Sequence, residues 1–398
     1  MKHLKTLSII TVCAAAATLT AQSGNVKKMW YAGKPDPNKE AAGFQKINGI
    51  VHSPVFLADE SRGGYNHHAR ITFYKGKFFA TWSNQRYGED GPGQRVLFAM
   101  SDDGKTWSKP KTLFNSPVPE APWGYKGVHL AAKYWTHCNG KLYGRAWCGG
   151  TIAYRNFDGT EKVEKRDRQH EFAVFKYYGD LYREVKPDGT LGPVFSFMKE
   201  QPEGLLYKVA DGKKTVPGFN HEEPKDYGKD RVDRHLCEAT AYKAKDGKHV
   251  VFFRDGKYSH RLYVSFSDDG SKWTVPVPTD IPDSPSASRT LSLDDGNVLL
   301  VGNQMAPKFD NPDKRHYGRD PLMVAVSPDG YKYTRAYAVR CGKQKYTIPR
   351  KAVRGRGGGG QYPDIVVVGD KAYIIYSMGK EDIWVSSFKL KNIGIKVK

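Results

Sequence analysis

A short phrase that returns three times constrains this chain more than any other feature. Ser101-Asp102-Asp103-Gly104-Lys105-Thr106-Trp107 recurs as Ser267-Asp268-Asp269-Gly270-Ser271-Lys272-Trp273 and, in degraded form, as Ser327-Pro328-Asp329-Gly330-Tyr331-Lys332-Tyr333. The steps between copies are 166 and 60 residues, close to three units and one unit of about 55, a period that marks propeller blades. Each copy holds an Asp that shapes a turn, a Gly able to take positive φ and an aromatic that can pack beneath. Such a phrase is a structural hairpin device, placed away from any binding face. No long stretch spaces apolar residues at i, i+3, i+4 and i+7, so helices should be few. The expected fold is all-β: one closed propeller that uses the whole mature length as a single domain.

A second repeat runs out of phase with the first. Turns at Lys75-Gly76, Asn139-Gly140, Asp246-Gly247, Asp295-Gly296 and Gly369-Asp370 each precede a β-rich run, the pattern of a hairpin. The 107 residues from Gly140 to Gly247 leave room for one further blade over Phe172 to Phe197, turning at Asp188-Gly189. Met29 to Leu57 can pair with Trp384 to Lys391 and close a seventh. Seven blades are therefore expected.

The phasing also predicts a rim. If each glycine turn joins the innermost strand to its neighbour, residues about seven to eleven positions before it and about five to eight after it lie at the opposite end, around the channel mouth. The earlier set is His68, His129, Glu238, Arg289 and Tyr362; the later set is Asn84, Arg145, Arg254, Asn303 and Ser377. Polar and cationic types dominate both sets. His67 precedes His68, and because successive strand residues face opposite sides the pair is expected to split, His68 toward the site and His67 into the packing. On that reading the two make a poor metal site.

The N-terminus reads as an export leader over residues 1–21. Lys2 and Lys5 are its basic region, Leu7 to Leu19 its apolar stretch and Ala21-Gln22 the cleavage point. The apolar stretch is too short to span a bilayer and no later segment could, so membrane insertion is not expected. Val12 before Cys13 argues against lipid anchoring. The propeller then covers 22–398, in a periplasmic or secreted protein. Cys138, Cys148, Cys237 and Cys341 follow the leader; Cys138 and Cys148 flank one hairpin and are the pair to consider for a disulfide, with buried free thiols the alternative.

The formal charge is +21, which on an exported protein points to an anionic partner such as acidic polysaccharide. Arg354-Gly355-Arg356 followed by Gly357 to Gly360 lacks the Lys-Ser/Thr of a phosphate loop and is read as a rim loop, with no nucleic acid as partner. His235-x-Cys237 offers two zinc ligands. A structural calcium or zinc ion is compatible with the chain, but no cofactor is required for the chemistry, and a monomer is expected.

Asn66-His67-His68, Gly93-Gln94-Arg95-Val96, Phe253-Arg254-Asp255, Asp283-Ser284-Pro285-Ser286 and Gln361-Tyr362-Pro363-Asp364, with the Asp-box phrases, resemble sialidase-like propellers acting on rhamnose–uronate linkages. These are the L-rhamnosyl-α-1,4-D-glucuronate lyases, the related α-L-rhamnosidases and the ulvan lyases. The resemblance covers nearly the whole mature chain and implies seven blades. The Phe-Arg-Ile-Pro phrase typical of true sialidases is absent. For a uronate lyase, Arg145, Arg254 and Arg289 are candidates to neutralise the carboxylate, and His68, His129 and Tyr362 candidates for acid and base. Asn84, Glu238 and His67 complete the substrate-binding set. A single rim carboxylate, Glu238, favours elimination over hydrolysis. The related rhamnosidases depend on a histidine near the N-terminal segment; here that segment reads Gln45 to His52, without a secure match. A non-catalytic glycan-binding propeller is the reading from another class.

Overall fold

The computed structural model describes residues 26–121, 127–156, 161–162, 170–196, 236–311, 313, 317–342, 344–348 and 358–396, the side chains of 151–176 excepted. Residues 1–25, where the leader is expected, His235 and Arg354 to Arg356 lie outside these. Among the described residues the strands form five sheets, so the propeller has five blades and not seven.

Blade one is Tyr65–Tyr74, Lys77–Gln85, Arg95–Ser101 and Lys111–Phe114, an antiparallel meander running outward from the axis. Blade three (Leu236–Lys243, His249–Asp255, Arg261–Ser267, Val277–Pro282) and blade four (Arg289–Ser292, Val298–Gly302, Leu322–Ser327, Arg335–Arg340) repeat it. Blade two explains the miscount. Its second and third strands, Lys141–Asn156 and His170–Val185, have 16 residues each. The stretch expected to be a separate blade is thus the outer half of this one, with Asp188-Gly189 turning into Leu191–Ser196. In blade five, Gly360–Val368, Lys371–Met378 and Asp382–Lys389 take Val51–Phe56 as fourth strand, with Val51 opposite Ser387 and Pro54 opposite Trp384. The N- and C-terminal pairing read from sequence is therefore formed, but it completes a blade already counted through Gly369.

Before reaching blade five the N-terminal segment crosses two others. Lys27 bridges to Thr279 in blade three, Trp30 to Tyr333 in blade four, and Gln45–Lys46 runs parallel to Tyr337 and Ala338. Asp280 Oδ1 accepts from the Trp30 backbone N–H at 2.8 Å. The segment is a belt over three outer edges, which also caps strands that would otherwise be unpaired.

Apolar side chains fill the seams between blades. Phe79 and Val96 meet Leu130 and Leu142 between blades one and two; Phe252 and Val264 meet Leu300 and Ala325 between three and four. Val324 and Val326 pack on Ile374 and Tyr376 between four and five, and Ile71 and Trp82 on Ile375 and Val385 between five and one. Each such side chain contributes about 1.5–3 kcal/mol by leaving water.

All three Asp-boxes have one geometry and join third to fourth strands at the end opposite the rim. Asp103 Oδ1 accepts from the N–H groups of Lys105 and Thr106, both at 2.8 Å, and Asp329 Oδ1 from Tyr331 and Lys332 at 2.7 and 2.8 Å. Gly104 has φ +69°, and a Cβ there would lie 2.5 Å from the Tyr373 ring of blade five, so only glycine fits. Cys138, Cys148, Cys237 and Cys341 are free thiols, Cys138 and Cys148 buried; the disulfide considered from sequence is not formed.

Candidate functional site

The innermost strands of blades one, three and five share a distortion. Each has a register shift near its rim end, at His67/Arg70, Cys237/Thr240 and Gln361/Asp364. Inside each lies a non-glycine residue in the left-handed region: His68 at φ 56°, Glu238 at 52° and Tyr362 at 53°. A residue held there costs on the order of 1–3 kcal/mol, and such outliers cluster at functional sites. The bulge inserts one extra residue and re-aims side chains, here toward the axis.

These three residues meet. Tyr362 Oη donates to Glu238 Oε1 in a short hydrogen bond, and Arg254 Nη1 lies 2.8 Å from Glu238 Oε2 and 3.0 Å from Tyr362 Oη. Burial raises the Glu238 carboxyl, but Arg254 and the Tyr362 hydroxyl more than offset it and keep it below the usual value. The Tyr362 phenol is pushed up by burial and by Glu238. Arg319 adds charge from above, 5.2 Å from the Tyr362 ring.

The bulge also overturns the expected split of the histidine pair. His67 and His68 lie on the same side, ring centroids 4.6 Å apart, and both face Tyr362 at 4.2 and 5.5 Å. His67 Nδ1 is 2.6 Å from Ser377 Oγ and His68 Nδ1 is 3.1 Å from Ser83 Oγ. Both Nε2 atoms aim at Glu89 Oε1, at 4.0 and 3.9 Å. Lys380 Nζ binds Glu89 Oε2 in a short ion pair, and the Tyr65 hydroxyl reaches Oε1 at 3.2 Å. Burial depresses both imidazoles, His68 to about 3, so they are neutral at physiological pH. Despite burial, Lys380 draws Glu89 down to about 2, which keeps it ionised.

The remaining sequence candidates are placed around this cluster. His129 is 1% exposed, behind the Glu89 loop, with Nε2 3.8 Å from Asp90 Oδ1 and its ring 5.1 Å from Trp147; burial lowers it to about 4. Arg145 forms an ion pair with Asp180 inside blade two. Arg289 pairs with Asp364 at 2.9 Å and stacks on Tyr134, whose ring Arg70 also covers; both guanidinium carbons are 4.2 Å from its centroid. This stack joins blades one, two, four and five. Asn84 is buried and saturated by Arg62 O, Asn66 Oδ1 and Arg95 Nε, so it holds the strand before the histidines in place. Asn303 likewise donates to Pro321 O and Gly360 O.

One family model, described as a BNR repeat-like domain, matches residues 189–375. A second, described as a BT_1020-like, N-terminal β-propeller, matches 52–230. Among solved structures, a protein titled "Sialidase" aligns at a TM-score of 0.68 and 18% identity, over 92% of this chain and 35% of its own. The chain thus spans about a third of that protein. A Dyadobacter fermentans protein of unknown function aligns at 0.53 and 15% identity, over 86% of this chain and 100% of its own. The NanB sialidase of Streptococcus pneumoniae aligns at 0.53 and 11%, over 85% and 70%. A comparison with curated proteins returned no match.

The chain has the sialidase-like Asp-box propeller fold. In this Asp-box propeller three of the rim residues that sequence phasing missed share one origin. Glu89, Arg319 and Lys380 all come from loops joining a second strand to a third, whereas the phasing counted only strand ends. Asp283, in the loop entering blade four, was missed as a site group. It is 1% exposed with Oδ1 unpartnered, and burial raises it to about 8 despite Arg254 and Arg319 nearby. The signal available for Glu89 was the Gly88-Glu89-Asp90-Gly91 turn at rim height.

Proposed function

We propose that this protein is a glycoside hydrolase acting on an acidic sugar, with Tyr362 as nucleophile. The observation that carries the reading is the Tyr362–Glu238–Arg254 contact at the channel mouth. A phenol is a weak nucleophile until a base takes its proton, and Glu238 is in hydrogen-bond contact with it. Tyr nucleophiles are the sialidase variant of retaining hydrolysis. The physical advantage is electrostatic: a carboxylate attacking a sugar whose own carboxylate sits near the anomeric carbon meets like charge. A neutral phenol with its carboxylate one residue further back does not. Glu238 takes the phenolic proton as Tyr362 Oη bonds the anomeric carbon and the C–O bond to the leaving sugar breaks, that oxygen taking a proton from solvent. Water then bonds the anomeric carbon and gives its proton to solvent while Glu238 returns the first proton to the Tyr362 oxygen. Arg254 and Arg319 are the carboxylate clamp, suited to planar bidentate recognition.

The sequence argument for elimination rested on a single rim carboxylate, and Glu89 and Asp283 remove that ground. Elimination at an L-rhamnose–α-1,4-D-glucuronate linkage remains the second reading, favoured by the two neutral imidazoles beside Tyr362, which can accept a proton. In either case the substrate is an acidic glycan met outside the cytoplasm.

Tyr362→Phe keeps the ring and removes the attacking oxygen. It should lower kcat on acidic glycosides by a thousandfold or more, on the order of what loss of a covalent nucleophile costs, with an unchanged melting temperature. Proton NMR should show the product released with retained configuration. Absorbance from an unsaturated uronate would replace this reading with elimination. Glycan binding without turnover in the unmodified protein would leave a binding propeller.

A further inference from the structure

We propose that His67, His68 and Glu89 form a divalent transition-metal site, zinc being the ion this set suits, with its open position toward the channel. Two imidazoles and one carboxylate are a ligand set of open, three-residue zinc centres. The ligand atoms of the three residues lie within 4.8 Å of one another. Two bonds of about 2.1 Å reach across a gap of up to about 4.2 Å, and both imidazole-to-Glu89 gaps fall inside it. They are too long for hydrogen bonds, so in the protein alone the three groups converge without satisfying one another.

A second observation is independent of that convergence. His67 is fully buried, and its Nε2 meets no hydrogen-bond partner; an orphaned buried nitrogen is costly unless something binds it. Its Nδ1 is taken by Ser377 Oγ, which lies 3.4 Å from the Gln361 carbonyl as a donor. The tautomer with Nδ1–H therefore leaves the Nε2 lone pair aimed at Glu89. Ser83 Oγ accepts from the Ala132 N–H at 2.9 Å and keeps a lone pair for His68 Nδ1. Outer partners of this kind fix ligand orientation in metal centres.

Lys380 on Glu89 Oε2, with Arg319 and Arg70 further off, opposes a cation and favours an anionic ligand in the open position. His68, 18% exposed at its side chain, marks the side open to the channel. A substrate carboxylate would fit there, opposite Arg254; this role, unlike the site itself, rests on the hydrolase reading.

The test is metal content and Co²⁺ substitution in the intact mature protein. After dialysis against zinc, about one ion per chain should remain, and Co²⁺ should give a visible ligand-field band. His68→Ala and Glu89→Gln should each lose the band and weaken zinc binding by a hundredfold or more. Ser377→Ala should weaken it about 10–100-fold. Circular dichroism separates these outcomes from unfolding. Zinc retention that is equal in His68→Ala and the parent, or no band in the parent, overturns the proposal. If chelated protein turns over fully while Tyr362→Phe does not, the metal's role toward the substrate carboxylate falls and the hydrolase reading stands. If zinc binds but Tyr362→Phe is fully active, the hydrolase reading falls and the metal site stands.

Discussion

Asp283 and the site histidines carry opposite pH signatures, and both follow from burial. Burial holds Asp283 protonated to about 8 in the folded protein against an ordinary 3.8. Below about pH 4 both folded and unfolded chains carry the proton, so its contribution is fully present. Above that the unfolded chain releases it first, and stability falls as pH rises toward 8. His68 and His129, depressed to about 3 and 4, behave in reverse: the unfolded chain takes up protons below about 6.5, and stability is lost as pH falls. Asp283→Asn should therefore flatten the decline of melting temperature between about pH 5 and 8 and leave the acid limb intact. An unchanged slope in the variant would show that Asp283 is already ionised in the native state. The same depression means that neither histidine is an imidazolium at neutral pH, so His68 and His129 serve as neutral donors, acceptors or ligands there.

At the scale of elements, two kinds of turn divide the work. The Asp-box turns are regular, hydrogen-bonded and remote, while the bulges at His68, Glu238 and Tyr362 are strained and central. Asp103→Ala and Asp329→Ala each strip two backbone N–H groups of their acceptor at the far end. Each should lower the melting temperature by roughly 1–4 °C while kcat per folded molecule stays unchanged. Loss of kcat at full folding would mean that the far end communicates with the site. The contrast also explains what was readable: an Asp-box is a local pattern of Asp, Gly and aromatic, legible residue by residue. A β-bulge leaves no such mark. Nothing in Asn66-His67-His68-Ala69 announces that His68 takes φ 56°, and strand alternation therefore put the two imidazoles on opposite sides.

For the whole molecule, closure depends on a chain segment with little core of its own. Val51–Phe56 completes blade five, and the run from Lys27 to Lys46 bridges blades three and four. A protein starting after Phe56 would expose the edge at Asp382–Lys389 and lose Val55 and Phe56 from the seam between blades five and one. It should fail to unfold cooperatively or should aggregate. Normal melting and turnover of that truncation would reduce the belt to a passive covering.

The sequence by itself determined the all-β propeller, the hairpin phase, the pairing of the two ends, and the membership of Tyr362, Glu238, Arg254 and His68 in one rim. All of these depend on residues near one another along the chain or on a repeating count. Blade number, the contacts of Arg145 and Arg289 with Asp180 and Asp364, and the arrival of Glu89, Arg319 and Lys380 were decided only in three dimensions. The reason is physical. Strand length carries no punctuation when one blade's strands run to 16 residues, and a loop's reach across a channel is set by the blades that face it.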